Sequence, residues 1–208
     1  MPLFKTIPIT GGLIGVWELT EKPEDLFPEF TTEELADPAF QQYSYDKRKV
    51  EWLATRILLK QLIGPDFSIS YSEHGKPILN HPKFKHLSIS HSREFASVIV
   101  HEHLNVGLDI ENQNRNYNPI MKRYLSEAEI KQTDNNPLLQ CIYWCAKEAI
   151  FKLVPEDGIE FKEQILISPF NPAIETQFGA RFISGNNETE YQLHFSNFLD
   201  QCLVWVTA

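Results

Sequence analysis

The sequence predicts an α+β fold, in the form of a two-layer α/β arrangement, because a long helix followed by strands can be read in it twice. The first helix is predicted to begin at Asp46 and to end at Gly64, with apolar residues at helical spacing between them. The second is predicted to begin at Pro137, where the missing N–H of proline leaves no helical hydrogen bond unmade. Segments with the composition of strands follow each helix. We therefore expect two α+β halves packed against each other.

The predicted strands divide the chain into two halves of similar length. They are expected at residues 12–19, 67–72, 86–90, 96–100, 106–111, 165–168, 180–184, 190–195 and 202–206. Short helices and loops are expected at 25–45, and a further helix is expected to begin with a capping box formed by Ser126 and Glu129. We expect residues 1–104 to form the N-terminal half and residues 105–208 the C-terminal half.

The composition and charge of the chain limit the classes of function that it can have. With 208 residues, of which 42% are hydrophobic, the chain can bury a core without disulfides or metals. A formal net charge of -9 argues against a broad nucleic-acid or anionic-membrane surface, so any phosphate site must be a local basic pocket. The first twenty residues do not resemble a signal peptide, and no apolar run approaches membrane-spanning length. We expect a cytoplasmic protein with no nucleic-acid or membrane partner.

The three cysteines, Cys141, Cys145 and Cys202, favour a reducing compartment because an odd number does not suit a disulfide framework. Cys141 and Cys145 have the spacing of one helix face. No histidine or cysteine pair stands near them in the sequence to complete a zinc site. We expect them to be buried as small hydrophobic side chains.

Two carboxylates occur at alternate positions of the strand predicted at 106–111. Asp109 and Glu111 would point to the same face, about 7 Å apart along the strand. A divalent cation between them would relieve their repulsion, and oxygen ligands without histidine or cysteine favour Mg²⁺ over zinc. Carboxylates of this kind are also common on solvent-facing strand edges, so the pair by itself leaves both interpretations open.

The segment WCAKEAIFK combines charged and aromatic residues on the second predicted helix. Trp144, Lys147, Glu148, Phe151 and Lys152 would share one face, which would present one carboxylate and two ammonium groups beside two rings. If this face lay beside the two strand carboxylates, it would complete a three-carboxylate metal site with cations for phosphate. The alternative is an exposed surface pair of Glu148 and Lys152, which would contribute little to stability.

Two shorter motifs offer donors for phosphate. SISHS places Ser90, His91 and Ser92 at the end of a predicted strand, and His91 would add a positive charge when it is protonated. In the turn predicted at 73–77, glycine frees the backbone and proline stiffens it, so that Lys76 presents its charge. Taken alone, both motifs are equally well explained as ordinary turns.

The first predicted helix carries a basic patch. Its members are Lys47, Arg48, Lys49 and Arg56. Arg48, Trp52 and Arg56 have helical spacing and could form a phosphate-binding face. The alternative is a solvated helix surface.

The order of these motifs resembles that of the Sfp-type 4'-phosphopantetheinyl transferases. GKP, SISHS, GLDIE and W-x-x-K-E-A-x-x-K follow one another between Lys76 and Lys152. The resemblance implies a pseudo-dimer of two similar subdomains, with the active site in the cleft between them. The N-terminal subdomain would hold the nucleotide of coenzyme A, and the C-terminal subdomain would hold the metal ligands and the catalytic helix.

The resemblance also implies a role for each motif residue. Asp109, Glu111 and Glu148 would bind Mg²⁺. Asp109, Glu148 and Lys152 would act in catalysis, with Glu148 as the general base, directly or through a water, and with Lys152 at the pyrophosphate. The residues implied to contact coenzyme A are Arg56 at the 3'-phosphate, Lys76 and Pro77 at the adenine, Ser90, His91 and Lys152 at phosphates, and Arg48 in place of basic residues that have no clear match upstream.

The implied reaction is the Mg²⁺-dependent transfer of 4'-phosphopantetheine from coenzyme A to a serine hydroxyl of an apo acyl or peptidyl carrier protein. It releases adenosine 3',5'-bisphosphate and is a reaction of the holo-[acyl-carrier-protein] synthase type, carried out here by a monomer. The apolar residues between Asn112 and Glu129 would either help to dock the carrier or pack in the core. Two alternatives stay open: a non-catalytic module that binds coenzyme A or a carrier, and a Mg²⁺-dependent phosphodiesterase acting on the same substrates.

Overall fold

The computed structural model of the chain describes residues 3–73, 75–134, 136–154, 156 and 158–208, and these residues form the α+β fold that the sequence predicts. The described strands are Leu3–Ile9 (β1), Gly12–Glu18 (β2), Ser68–Tyr71 (β3), Pro77–Asn80 (β4), His86–His91 (β5), Phe95–His101 (β6), Val106–Asn112 (β7), Ile165–Ile167 (β8), Gln177–Ser184 (β9), Asn187–Phe198 (β10) and Gln201–Thr207 (β11). Every strand predicted from the sequence is therefore confirmed, with small differences at the ends.

The described α-helices are Pro23–Leu26 (α1), Thr32–Leu35 (α2), Pro38–Gln41 (α3), Asp46–Ile63 (α4), Met121–Tyr124 (α5), Glu127–Gln132 (α6), Pro137–Leu153 (α7) and Phe161–Gln164 (α8). The two long helices, the capped helix α6 and the short helices α1 to α3 lie where they are predicted, whereas α5 and α8 are not predicted. The predicted capping box of α6 is present, because Ser126 and Glu129 exchange side chain to backbone hydrogen bonds. In the part of the chain that the structure describes, no helix combines the length and the apolar character needed to cross a membrane.

Two strands, β1 and β4, are not predicted from the sequence. β1 contains Pro8, which has no N–H to donate, and its side chains are largely exposed, so neither composition nor alternation marks it as a strand. It lies at the edge of its sheet, where proline is tolerated. Pro77 was predicted to close a turn but already begins β4, which pairs with β3 in a separate two-stranded sheet.

Two antiparallel sheets carry the rest of the fold, and both contain the same topology. The first has the order β1-β2-β6-β5, and the second has the order β7-β11-β10-β9-β8. In each sheet a strand, β2 or β7, precedes the long helix, and the last strand, β6 or β11, returns to pair antiparallel with it. The strand before the last, β5 or β10, lies on the other side of the last strand. The element order predicted twice from the sequence is thus a topology that occurs twice in space.

Three apolar clusters hold these layers together. One joins α4 to the first sheet, with Trp17 and Leu58 among its fully buried members, and one joins α7 to the second sheet. The third lies between the two sheets and contains Ile14 from β2, Leu108 from β7 and Leu203 from β11. The layers therefore follow the order α4, first sheet, second sheet, α7, and each sheet is covered on both faces.

A glycine lets each long helix approach its preceding strand closely. A Cβ atom at Gly15 of β2 would lie 2.8 Å from a side-chain atom of Leu58 on α4. A Cβ atom at Gly107 of β7 would lie only 1.8 Å from the carbonyl oxygen of Ala149 on α7. The second contact is to backbone, which cannot move aside as a leucine side chain can. Gly107 therefore sets the distance between β7 and α7.

We predict that Gly107→Ala will lower the free energy of unfolding by about 3 kcal/mol, because α7 must move off β7 to admit the added methyl group. Urea denaturation measures this loss. Gly179→Ala on β9 is the matched control, since its Cβ would meet only the Ser168 side chain, at 3.3 Å. Equal losses in the two variants would contradict the close approach at Gly107.

Candidate active site

β7 turns its side chains toward two different environments. Val106, Leu108 and Ile110 lie in the apolar cluster between the sheets. The alternate positions, including Asp109 and Glu111, therefore lie on the face that α7 covers, as the closeness of Gly107 to α7 requires. Asp109 is only 5% exposed, so it does not stand on a solvent-facing edge.

Asp109 is held by groups from both halves of the chain. Ser90, at the end of β5, donates its hydroxyl proton to Asp109 Oδ1 at 2.6 Å. Lys152, on the last turn of α7, donates from Nζ to the same oxygen at 2.8 Å, to Ser90 Oγ at 3.0 Å and to the Leu108 carbonyl at 3.0 Å. β5 is further joined to β7 because Ser88 Oγ accepts the Leu108 N–H at 3.2 Å. Three predicted site residues, Ser90, Asp109 and Lys152, thus form one hydrogen-bonded group.

The second carboxylate oxygen of Asp109 has a different environment. Asp109 Oδ2 is buried and has no hydrogen-bond partner among the residues that the structure describes. A buried carboxylate oxygen left without a partner is costly, so such an atom calls for a ligand. A divalent cation is a suitable one, because it binds carboxylate oxygen directly.

Glu111 and Glu148 bring two more carboxylates to this place. Burial, and next the charge of Asp109, raise the pKa of Glu111 and that of Glu148 from 4.5 to about 7. Trp144 donates a hydrogen bond to Glu111, and the guanidinium of Arg115 contacts the same carboxylate. Burial and the charge of Asp109 thus disfavour the charged forms of Glu111 and Glu148, which is the condition that a bound cation would relieve.

The donor chemistry of these residues suits a hard divalent cation, although the three carboxylates do not bring one oxygen each within 4.8 Å of one another among the described residues. Asp109 offers a bare buried oxygen, and Glu111 and Glu148 offer carboxylates from β7 and from α7. This set contains oxygen donors without histidine or cysteine, which suits Mg²⁺ rather than zinc. Mg²⁺ binding by these three residues remains a prediction.

The predicted adenine-side residues line a cavity between the two halves. The cavity has a volume of about 440 Å³, and its walls come from the segments 75–77 and 87–89 and from the end of α7. Lys76 and Pro77 line it together with Lys152. Lys76 Nζ donates to the Leu153 carbonyl at the C-terminal end of α7, at 3.3 Å, and partial burial lowers the pKa of Lys76. The cavity thus connects the turn predicted to hold adenine with the Lys152 ammonium group.

His91 lies against α4 rather than in this cavity. Its Nε2 is 3.0 Å from Thr55 Oγ1, and the imidazole also hydrogen-bonds to the backbone of Glu51. Burial, and then the positive charges of Lys152 and Arg48, lower the pKa of His91 to about 3. In the ligand-free protein at neutral pH, His91 is therefore a neutral hydrogen-bonding group, and its contact with a phosphate of coenzyme A stays a prediction.

The two predicted arginines of α4 stand apart from the carboxylates. Arg56 is 8% exposed, lies over the Trp52 ring at 3.5 Å and donates to Tyr71 Oη at 3.3 Å. It lines a separate depression of about 190 Å³. Arg48 is exposed and pairs with Glu51 at 2.8 Å. The structure does not bring these arginines to the cavity that Lys76 and Lys152 share, although Tyr71 pairs with Pro77 in β3–β4.

Lys147 does not share the exposed face of α7, and its placement there was wrong. The residue is fully buried, and Nζ donates to Glu129 Oε2 and to the Phe161 carbonyl, both at 2.9 Å, and to the Ile165 carbonyl. Glu129 is the residue that also caps α6. Lys147 therefore ties α6, α7, α8 and β8 together and has no contact with the carboxylate cluster.

The cysteines are buried as predicted, and β11 adds Cys202 to the pair on α7. The Sγ atoms of Cys141, Cys145 and Cys202 lie within 4.8 Å of one another, without a disulfide. Cys141 Sγ accepts from Tyr117 Oη at 3.1 Å and donates to the Glu111 carbonyl at 3.8 Å. All three are fully buried, and Cys141 hydrogen-bonds to the backbone of the strand that carries the acids.

For the segment after β7, packing in the core is confirmed for its larger apolar residues. Tyr117, Tyr124 and Leu125 are at most 1% exposed and belong to the cluster under α7. Lys122 and Arg123, in contrast, are exposed.

Residues 105–201 match the family model of the 4'-phosphopantetheinyl transferase superfamily. The match confirms the family resemblance that the ordered motifs predict, and its range includes Asp109, Glu111, Glu148 and Lys152.

Two curated relatives carry the same description. They are the 4'-phosphopantetheinyl transferases AcpT of Salmonella typhi and Salmonella typhimurium. The chain is 27% identical to each over 126 residues, which is 57% of this chain and 66% of the relative. The chain thus spans just under two thirds of the length of the curated relatives that it matches.

Two residues in contact with the predicted site residues are not predicted from the sequence. Arg115 contacts Glu111 and follows it by four positions in a turn, where no periodicity marks it. Thr55 meets His91 only because α4 packs beside the end of β5. The sequence gives one indication that Arg115 lies near the carboxylates, which is its position four residues after the end of GLDIE.

The raised pKa of Glu148 predicts a pH-dependent stability of the metal-free protein. Its folded pKa of about 7 exceeds the ordinary 4.5, so its favourable contribution is complete below pH 4.5 and is lost as the pH rises through 7. With chelator present, Glu148→Gln should gain stability relative to the unmodified protein between pH 5 and pH 8, on the order of 2 kcal/mol after solvent screening. Urea denaturation at each pH measures the difference. The exposed Glu190→Gln is the control, and a pH-independent difference for Glu148→Gln would contradict the assignment.

Proposed function

We propose that this chain transfers 4'-phosphopantetheine from coenzyme A to a serine of an apo carrier protein, with Mg²⁺, as an Sfp-type enzyme. One observation carries the proposal: Asp109 is fixed by Ser90 and Lys152 across the two halves, while its second oxygen is buried and bare beside two further acids. The superfamily match over residues 105–201 supports phosphopantetheinyl transfer as the reaction class.

The carboxylate cluster is the part of the site that would hold Mg²⁺. Asp109, Glu111 and Glu148 would be its protein ligands. When bound, the ion would neutralise the diphosphate of coenzyme A and polarise the phosphorus that is attacked. Of the three carboxylates, Glu111 would need the cation least, because Arg115 and Trp144 already provide it with polar partners.

Lys152 and Ser90 position the reacting groups. The Lys152 ammonium lines the cavity between the halves and contacts Asp109, so it can stabilise negative charge on the side of the leaving nucleotide. Ser90 gives its only hydroxyl proton to Asp109, so in this arrangement it orients the acid and cannot also donate to a phosphate. Its predicted role as a phosphate donor would require that bond to break.

Glu148 is the proposed proton acceptor for the carrier serine. It lies one helical turn before Lys152 on α7, so the two side chains can meet opposite ends of one diphosphate. Arm transfer then breaks the bond from the β-phosphorus to the bridging oxygen, and adenosine 3',5'-bisphosphate leaves with that oxygen. As the serine oxygen bonds to the β-phosphorus, the proton of the serine hydroxyl passes to the carboxylate of Glu148.

The ligand and the carrier would approach from the junction of the halves. Lys76, Pro77 and Lys152 share the cavity of about 440 Å³, which supports a nucleotide site there, and Arg56 and Arg48 would be secondary phosphate contacts on α4. Lys122 and Arg123 are exposed on α5 and would attract an acidic carrier surface. Both halves of one chain supply the site, so we propose a monomeric pseudo-dimer with its active site in this cleft. The free thiols are consistent with a cytoplasmic location.

Incubation of the protein with coenzyme A, Mg²⁺ and an apo acyl carrier protein tests the proposal by the mass of the carrier. We predict a gain of about 340 Da on the carrier serine, the increment for covalent transfer of the arm. Asp109→Asn should reduce the rate by about 10³-fold, and Glu190→Gln should leave it unchanged. Cleavage of coenzyme A without a mass gain would indicate a phosphodiesterase, and binding without cleavage would indicate a non-catalytic module.

A further inference from the structure

Arg115, which the motifs do not include, is a cation in contact with Glu111, one of the proposed metal ligands. It follows β7 in a tight turn, in which its N–H donates to the Asn112 carbonyl at 3.0 Å. Its guanidinium contacts Glu111 Oε1, and its charge also acts on Glu148. Its side chain remains 42% exposed. The residue thus reaches from a surface turn into the carboxylate cluster.

Two aromatic rings form a shelf under this guanidinium. The rings of Trp144 and Tyr117 lie 5.4 and 5.5 Å from Arg115 Cζ. Trp144 stands one helical turn before Glu148 on α7, and Tyr117 is buried with its hydroxyl on the Asn112 carbonyl at 3.2 Å. Stacking on rings supports a guanidinium without occupying its N–H groups. Arg115 can therefore change its hydrogen-bond partner without leaving the shelf.

The charges of the cluster indicate what that change would be. Arg115 donates a hydrogen bond to Oε1 of Glu111, and this oxygen would otherwise be free to bind a cation. The guanidinium has five N–H donors in a planar fork, which suits the oxygens of a diphosphate. A divalent cation and a diphosphate arriving together would supply both a new partner for Glu111 and a new partner for Arg115.

We infer that Arg115 exchanges partners during ligand binding: it holds Glu111 in the metal-free protein and moves to a diphosphate oxygen of the nucleotide when a divalent cation takes Glu111. The inference rests on the proposed function, because it needs the carboxylates to bind a cation and the ligand to carry a diphosphate. Arg115 acts first as a competitor of the cation and then as a binding residue for the anion. Its removal should therefore affect the two ligands in opposite directions.

Two binding titrations test the exchange without any measurement of turnover. The first follows free Mn²⁺ by electron paramagnetic resonance in the absence of coenzyme A. The second measures coenzyme A affinity by calorimetry at saturating Mn²⁺. The variants are Arg115→Gln and the conservative Arg115→Lys, and Arg181→Gln is the matched control. Arg181 forms a similarly exposed pair with Glu188, at 2.7 Å, on β9 and β10.

We expect Arg115→Gln to bind Mn²⁺ about three- to ten-fold more tightly and coenzyme A about ten-fold more weakly. Arg115→Lys should keep the unmodified Mn²⁺ affinity, because its charge still pairs with Glu111, but only part of the coenzyme A affinity, because it lacks the planar fork; Arg181→Gln should change neither. An unchanged affinity for either ligand in Arg115→Gln would overturn the exchange. So would a parallel weakening of both, which is what a merely structural role of the turn produces.

Asp109→Asn separates this inference from the proposed function. If Asp109→Asn abolishes Mn²⁺ binding and Arg115→Gln has no effect on it, the metal site stands and the role of Arg115 is wrong. If Asp109→Asn leaves Mn²⁺ binding unchanged, the assignment of the carboxylates fails, and the exchange fails with it.

Discussion

The contact of Lys152 with Asp109 and Ser90 is the interaction on which the arrangement of the site depends. It joins the C-terminal end of α7 to β7 and to the end of β5, and β5 belongs to the other half of the chain. This contact can form only if α7 lies directly on β7. Gly107 permits this close packing, because it has no Cβ that would clash with the Ala149 carbonyl oxygen. The contact also requires that β5 and β7, from different sheets, lie next to each other, which the hydrogen bond from the Leu108 N–H to Ser88 Oγ supports. A change in any of these contacts would displace Asp109.

The cluster around this contact is not arranged for stability. Asp109 has an unsatisfied buried oxygen, and two neighbouring acids have their pKa raised because burial and mutual repulsion oppose ionisation. The Lys147–Glu129 pair, six residues from the end of the same helix, shows the contrast. There every described donor of the ammonium group finds an acceptor, and the pair joins four elements. One helix thus carries the satisfied buried charge of Lys147 and, nearer its C-terminal end, borders the unsatisfied Asp109 of β7, at which we propose a cation site.

The sequence predicts the elements of this fold well, because each long helix and most strands carry local signals. Gly64 and Asn136 mark helix ends, and the alternation of GLDIE places two acids on one face. The depth of a side chain is not local. A helical wheel placed Lys147 beside Glu148, but the segment Phe161–Ile165 and the cap of α6 enclose it, and neither is visible from α7 alone. Ser90 was expected to face phosphate, whereas the neighbouring β7 gives its hydroxyl a closer acceptor.

The same limit applies to residues that meet only through the packing of the two halves. Arg115 joins the acids through a turn without periodicity, and Arg56 turns out to stack on Trp52 in a separate depression. The motif order predicted one site for Ser90, Asp109 and Lys152, and the structure brings these three side chains into hydrogen-bonded contact. It does not bring His91 and the two arginines of α4 to the same place.

The central claim is that Asp109, Glu111 and Glu148 form a site for a hard divalent cation. A crystal of the protein grown with Mn²⁺ and coenzyme A, measured at the manganese absorption edge, tests it most directly. We expect one anomalous peak within coordination distance of Asp109 Oδ2 and of at least one of the two glutamates, with Lys152 still on Asp109 Oδ1. Manganese bound elsewhere, with Asp109 Oδ2 bare or hydrogen-bonded to protein, would contradict it.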